Sequence, residues 1–229
     1  MKKIILSLAI MAIVGTIVVG ATRAYFTSSA TSTGNTFAAG TMNLSLSAGD
    51  PTNHTVFTIA NMAPGIEVGP QTLNYSNAGS IDGFVKLNTT YALTSGGAGL
   101  VNEHDFARHL IVTSGVTDGI PVQGWWAQHV IDSYSGADNT AKTAAALADR
   151  GVYQVSAGVY APTVYGLSLV TLKFENGYNG APVLWPAGAA THAVVLKLEL
   201  DPTTTNEYQG AGISVSLNAT MLQTNDTSF

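Results

Sequence analysis

The sequence predicts a mainly β protein: a single antiparallel sandwich with a few short helices in insertions, preceded by a signal peptide. Three observations predict it. Alternating or β-rich runs recur between residues 41 and 219, each bounded by turn formers. Only two stretches break that rhythm with helical character. The 229-residue chain has no cysteine, so neither a disulfide framework nor a thiolate metal site can form. About 205 residues remain after the leader, and a domain that size buries roughly 70% of its unfolded surface without such staples.

The leader is the first element. Lys2 and Lys3 precede an uncharged apolar stretch from Ile4 to Thr22, and small residues surround Arg23 up to Ala24. That is the charged, apolar and cleavable sequence of a signal peptide, with the cut placed between Ala24 and Tyr25. An uncleaved anchor is the competing reading, because the stretch is just long enough to cross a bilayer. Gly15 and Gly20, which interrupt a helix near its end, favour cleavage. A pilin-type leader, cut before its apolar stretch, is a third reading, but no obvious cut site stands beside Lys3.

Cleavage would remove three of the nine basic residues and leave six against fourteen acidic ones, a net charge of −8. Nucleic-acid binding needs a basic footprint and is thereby disfavoured. Only 10% of the residues are charged, so the surface is polar but weakly charged, and copies can pack with little repulsion.

Next comes Tyr25 to Asn35. After Tyr25 and Phe26 this segment is Thr, Ser, Ala, Gly and Asn, too little apolar bulk to make a core. It is suited instead to joining another sheet as a strand. The body follows with expected strands at Thr41 to Ser47, Thr55 to Ala60, Gln71 to Ser76, Phe84 to Leu93, Val164 to Phe174, Ala193 to Leu200 and Ile213 to Ala219. The clearest alternation puts Val194, Leu196, Leu198 and Leu200 inward and Lys197 and Glu199 outward. Ile213, Val215 and Leu217 alternate with Ser214, Ser216 and Asn218 in the same way.

Asn102 to Leu110, with an Asn cap, and the Ala-rich Asp138 to Arg150, stopped by Gly151, read as short surface helices. Trp125 and Trp126 lie between them. On a strand they would point to opposite faces, one to the core and one outward; burial of both by loops is the alternative.

No catalytic constellation emerges. Glu103, His104, Asp105 and His109 form the densest group of potential metal ligands. The helical zinc motif spaces its histidines by four, whereas a spacing of five turns the second imidazole about 140° away. The group reads as a polar helix face. No nucleophile elbow and no phosphate loop are present, and Glu199 and Asp201 read as solvated carboxylates. No catalytic residue, metal or cofactor is therefore assigned. Sequons at Asn43, Asn53, Asn74, Asn88, Asn218 and Asn225 are glycosylation acceptors only in a host with that machinery.

Specific strings add a resemblance. Gly20-Ala-Thr-Arg-Ala-Tyr-Phe-Thr, Gly34 to Leu46, Asn61-Met-Ala-Pro-Gly, Leu73 to Asp82, Asp105-Phe106 and Asn206-Glu-Tyr-Gln-Gly resemble the TasA/camelysin family of secreted biofilm fibre proteins and the related archaeal bundling pilins. The middle, about 112–191, matches poorly. The resemblance implies a jelly-roll-like sandwich over 38–229 that polymerises by donor-strand exchange. Tyr25, Phe26, Thr27, Ser28, Ser29 and Ala30 would be the donor strand, and 25–37 the donor and its linker. The implied partners are other copies of the chain and, during export, a signal peptidase, with the membrane touched only through the leader. Camelysin-like relatives are also described as metalloproteases, which is the competing function. A non-polymerising envelope or surface-layer protein is a third.

Overall fold

In the computed structural model the described residues are 41–46, 54–96, 102–175, 178, 180–188, 191–208 and 210–224, all within one compact unit spanning Gly40–Phe229. The leader, the cleavage site and the donor segment lie outside the described residues.

Among the described residues eleven strands and four α-helices follow in chain order: β1 Leu44–Leu46, β2 His54–Ala60, β3 Glu67–Asn77, β4 Gly83–Gly96, α1 Glu103–His109, β5 Leu110–Thr117, β6 Ile120–Pro121, α2 Gln123–Ser133, α3 Asn139–Ala148, β7 Val152–Ser156, β8 Val159–Pro162, α4 Val164–Ser168, β9 Thr171–Lys173, β10 His192–Leu200 and β11 Ala211–Gln223. One sheet has the order β1-β3-β10-β5-β6 and the other β2-β11-β4-β9, while β7 and β8 form a separate hairpin. Every pairing in the two large sheets is antiparallel.

A single core draws on both sheets. Leu73, Tyr75, Val194 and Leu196 come from one; Val85, Leu87, Ile213 and Val215 come from the other. The alternation in β10 and β11 is as the sequence predicts: Val194, Leu196, Leu198 and Leu200 are buried, with Lys197 and Glu199 partly exposed on the opposite face. Each such burial contributes about 1.5–3 kcal/mol. A one-residue slip would turn Lys197 and Glu199 into the core, so the register is strongly fixed.

The pairing is interrupted at Lys197 on both sides. Leu196 opposes Gln71 and Leu198 opposes Val68, leaving Gly69 and Pro70 bulged on β3; Thr113 is the extra residue on β5. Gly69 has φ +111° and a Cβ there would stand 2.9 Å from the Leu196 carbonyl, which is why glycine occupies it. The bulges gather Glu67, Thr113 and Lys197: Lys197 Nζ donates to Glu67 (2.8 Å) and the Thr113 hydroxyl to its other oxygen (2.6 Å).

Both expected helices form. The Asn102 side chain accepts from the His104 amide at 2.8 Å and Asp138 from the Ala141 amide at 2.8 Å, satisfying otherwise orphaned donors. The first is not a surface helix, however, because Phe106 and Ala107 are fully buried.

Two further expectations are corrected. Val164 to Phe174 is not one strand: Thr163 caps α4 by accepting from the Gly166 amide (3.0 Å), and only Thr171–Lys173 is extended. Close packing selects the helix here, since a Cβ on Gly166 would come within 1.9 Å of the Gly151 carbonyl oxygen. Trp125 and Trp126 lie on helix α2, not on a strand. Trp126 is buried over Gly115 of β5, and Trp125 is only partly covered.

Candidate functional site

The sheet edge at β3 is the first candidate. β1 pairs with β3 only through Leu44, Ser45 and Leu46, opposite Asn77, Ser76 and Tyr75. Amide bonds extend this zipper backwards: Ala78 donates to Asn43 (2.7 Å) and Ser80 to Thr41 (2.8 Å). A Cβ on Gly79 would stand 2.3 Å from the Thr41 carbonyl, so the two segments touch backbone to backbone. Asn77, 1% exposed, locks the corner by donating to the Ile81 and Trp185 carbonyls and accepting from the Gly79 amide, each at 2.9 Å. On that same side of β3, Glu67 to Asn74 has no strand partner among the described residues.

Strand order sharpens the point. A jelly roll interleaves its strands as first-eighth-third-sixth in one sheet and second-seventh-fourth-fifth in the other. With β5 and β6 set aside as insertion, the orders β1-β3-β10 and β2-β11-β4-β9 reproduce that pattern in seven strands. No described residue supplies an eighth strand: β1 bonds directly to β3, and beyond it the edge from Glu67 to Asn74 has no strand partner among the described residues. Pro70 on this edge fits a position where one amide donor is dispensable.

The potential metal ligands do not converge. Nδ1 of His104 lies 2.8 Å from the Tyr91 hydroxyl. Asp105 and His109 face Tyr208 instead: the Tyr208 hydroxyl donates to Asp105 at 2.6 Å, and the His109 ring packs 5.0 Å from the Tyr208 ring. Among the described residues no group of three or more His, Asp or Glu side chains could hold a metal ion.

His109 and Asp201 belong to a structural network. Arg150 donates to Asp201 (2.8 Å) and lies 3.0 Å from His109 Nδ1; the Thr203 amide and hydroxyl donate to the other Asp201 oxygen at 2.9 and 2.7 Å. Burial, seconded by the Arg150 charge, lowers the His109 pKa. Burial alone would raise the Asp201 pKa, but the bonds from Thr203 and Arg150 outweigh it and hold the carboxyl below its ordinary value. Asp201 is 1% exposed, so the expectation of a solvated carboxylate is corrected for it, whereas Glu199 is partly exposed.

The strings that carried the resemblance meet in space. Phe106 stacks on Tyr208 with ring centroids 5.3 Å apart. The Gly65 amide donates to the Leu200 carbonyl (2.8 Å), and Asn61, at φ 57°, donates to the Ala211 carbonyl (3.2 Å). Asn61 to Gly65, Asp105-Phe106 and Tyr208 thus all pack around the β10–β11 connection. Thr41 to Leu46 lies along Tyr75 to Ser80. These strings specify packing, and chain spacing alone held no signal that they meet.

Of the sequons, Asn43 is exposed, Asn74, Asn88 and Asn218 sit part-covered on strands, and Asn53 and Asn225 lie outside the described residues. Ala24, Tyr25 and the donor residues up to Ala30 also lie outside them. No helix among the described residues is long and apolar enough to cross a membrane.

The family model described as camelysin metallo-endopeptidase matches residues 1–119, just over half of the chain. No curated protein matches it.

Proposed function

Because the chain belongs to the TasA/camelysin family, we propose that it is the structural subunit of an extracellular fibre or pilus, assembled by donor-strand exchange and serving biofilm or cell–cell association. The observation that carries this reading is the edge of β3 from Glu67 to Asn74, which no described strand pairs. A neighbour's Tyr25 to Ala30 would fill it once cleavage after Ala24 frees that segment. Six residues span about 20 Å as a strand, which the eight-residue edge accommodates.

Energetics assign roles within the donor. Main-chain pairing contributes about 0.5–1.5 kcal/mol per bond, while association costs about 4–15 kcal/mol in lost freedom. Six bonds barely meet that cost, so a side chain has to anchor the strand. Alternation puts Phe26, Ser28 and Ala30 on one face and Tyr25, Thr27 and Ser29 on the other. Phe26, facing the sandwich interior, adds about 1.5–3 kcal/mol. The product is a secreted homopolymer, with no cofactor and with the membrane met only through the leader.

Negative-stain microscopy tests the reading. Protein beginning at Tyr25 should form filaments, and a chain lacking residues 25–35 should stay monomeric. If both remain monomeric under all conditions tried, donor-strand assembly is wrong. Amino-terminal sequencing of the secreted protein should begin at Tyr25; retention of Lys2 would favour an anchored protein.

The family's description also names a peptidase. For this chain that reading has to overcome the divergence of Glu103, His104, Asp105 and His109. Casein cleavage abolished by a chelator and restored by zinc would establish it.

A further inference from the structure

A second surface feature is built mainly from the segment that carries little of the family resemblance. The β7–β8 hairpin projects over the outer face of the five-stranded sheet, next to the first turn of α2. Between them lies an open cavity of about 410 Å³, lined by Ile111, Tyr153, Val155, Val159, Tyr160 and Glu199, with Gln123 and Gly124 at its helix side. That volume falls within the range of small-molecule sites. A smaller cavity of about 190 Å³ continues past Gly124, Val159 and Tyr160 along α2.

The walls are apolar and aromatic, and they stand open: Val155 is 57% and Val159 53% exposed, unusual for large aliphatic side chains so close together. Two of the polar groups that line it are engaged, Gln123 with the Val112 carbonyl (2.6 Å) and Thr113 with Glu67 (2.6 Å), but three are not. The hydroxyls of Tyr153 and Tyr160 and the carboxylate of Glu199 have no hydrogen-bond or ion-pair partner among the described residues. Glu67, which faces Glu199 across the β3–β10 pair, is by contrast held by Lys197 and Thr113. The Tyr153 pKa is raised, first by burial and then by the Asp201 and Glu199 carboxylates, with Arg150 offsetting in part.

We propose that this cavity is a binding site for an organic cation: an ammonium group carried on an apolar body, its charge set against Glu199 and the faces of Tyr153 and Tyr160 and its body against Val155, Val159 and Ile111. An unpaired carboxylate beside two aromatic rings supplies the attraction such a cation requires, because the ring faces are negative and the apolar walls weaken competition from water. A free amine and a lysine side chain presented by another protein share this chemistry.

Isothermal titration of the mature protein with choline, with Nα-acetyl-lysine amide and with 3,3-dimethylbutan-1-ol, the uncharged isostere of choline, tests the site. At least one cation should bind saturably and about tenfold or more tighter than the isostere. Tighter binding of choline identifies a free quaternary amine as the source, and tighter binding of the lysine amide a presented side chain. Glu199→Gln should reduce the affinity about tenfold, with raised salt weakening the wild type. Gly124→Leu supplies a control that stays folded, because a Cβ at Gly124 meets nothing within 4 Å; its side chain should block the cavity. Absence of saturable binding by both cations, equal binding of the isostere, tighter binding of a neutral saccharide such as maltose, or an unchanged affinity in folded Glu199→Gln and Gly124→Leu proteins would each overturn the proposal.

Discussion

Removal of a single hydroxyl should have opposite effects at two buried tyrosines. Tyr75, on β3 beside the open edge, is fully buried, and its hydroxyl has no partner among the described residues. Burial pushes its pKa up to about 12. Tyr208 is 1% exposed, but its hydroxyl donates to Asp105 at 2.6 Å. Tyr75→Phe removes a polar group that was desolvated without compensation and should stabilise the fold by about 1–2 kcal/mol. Tyr208→Phe removes a bond to a charged acceptor, worth about 1.5–3 kcal/mol when buried. Asp105 itself is exposed and can turn to water, so the loss should be about 1–2 kcal/mol. The two variants should therefore differ by about 2–4 kcal/mol despite identical chemistry. Urea unfolding at pH 7, followed by tryptophan fluorescence, reads this directly; in a melt each kcal/mol is about 2–4 °C for a domain of this size. If Tyr75→Phe destabilises as much as Tyr208→Phe, the account of the two hydroxyls is wrong.

Asp201→Ala should cost about 1–3 kcal/mol, since it removes the acceptor shared by Arg150 and by the Thr203 amide and hydroxyl; Asp201→Asn, which keeps an acceptor for Thr203, should cost clearly less, and equal losses in urea unfolding would refute this. His109 and Asp201 both have lowered pKa values when folded. Their stabilisation is therefore present above the unfolded values, about 6.5 and 3.9, and is lost as pH falls through the lower folded values. Stability measured against pH should decline below about 6.5, and again below about 4, with Asp201→Asn reducing the second decline, to which Glu67, also held below its ordinary pKa by Lys197 and Thr113, contributes. Gly166→Ala should lower the melting temperature by about 5 °C or more, because its Cβ has no room against Gly151. Phe26→Ala should shift filaments towards monomer in sedimentation while leaving the melting temperature of the monomer unchanged.

The strands buried on one face were the most legible part of the sequence. Val194 to Leu200 and Ile213 to Leu217 carry their burial in a period of two, which depends on nothing distant. The caps at Asn102 and Asp138 were equally local. What the sequence did not reveal depends on contacts between remote segments. Val164 to Phe174 has the β-branched composition of a strand, yet Thr163 and the fit of Gly166 against Gly151 make half of it a helix. Trp125 and Trp126 were ambiguous because α2 hides its period behind glycine, glutamine and an adjacent aromatic pair; only the seat over Gly115 decides which tryptophan is buried.

The candidate sites divide in the same way. The donor segment stands out by composition, whereas the edge it would meet is defined by strand order, which no local pattern encodes. Asp201 looked like a partner of Glu199 on a strand. It lies one residue past the end of β10, where the turn through Thr203 draws it inward. Tyr153 and Tyr160 sit on a hairpin too short to show a period, so the cavity beneath them had no signature in the sequence.

The zipper between Thr41 to Leu46 and Tyr75 to Ser80 has a mechanical meaning. Tension arriving along the chain from the amino-terminal side and directed along β1 would load its cross-strand bonds together, in shear, instead of peeling them one at a time. The backbone contact at Gly79 and the corner at Asn77 sit at the end where such a pull arrives. A chain without cysteine would thus resist extension through the orientation of its hydrogen bonds relative to the load, and pulling across the strands should rupture the same bonds at a much lower force than pulling along them.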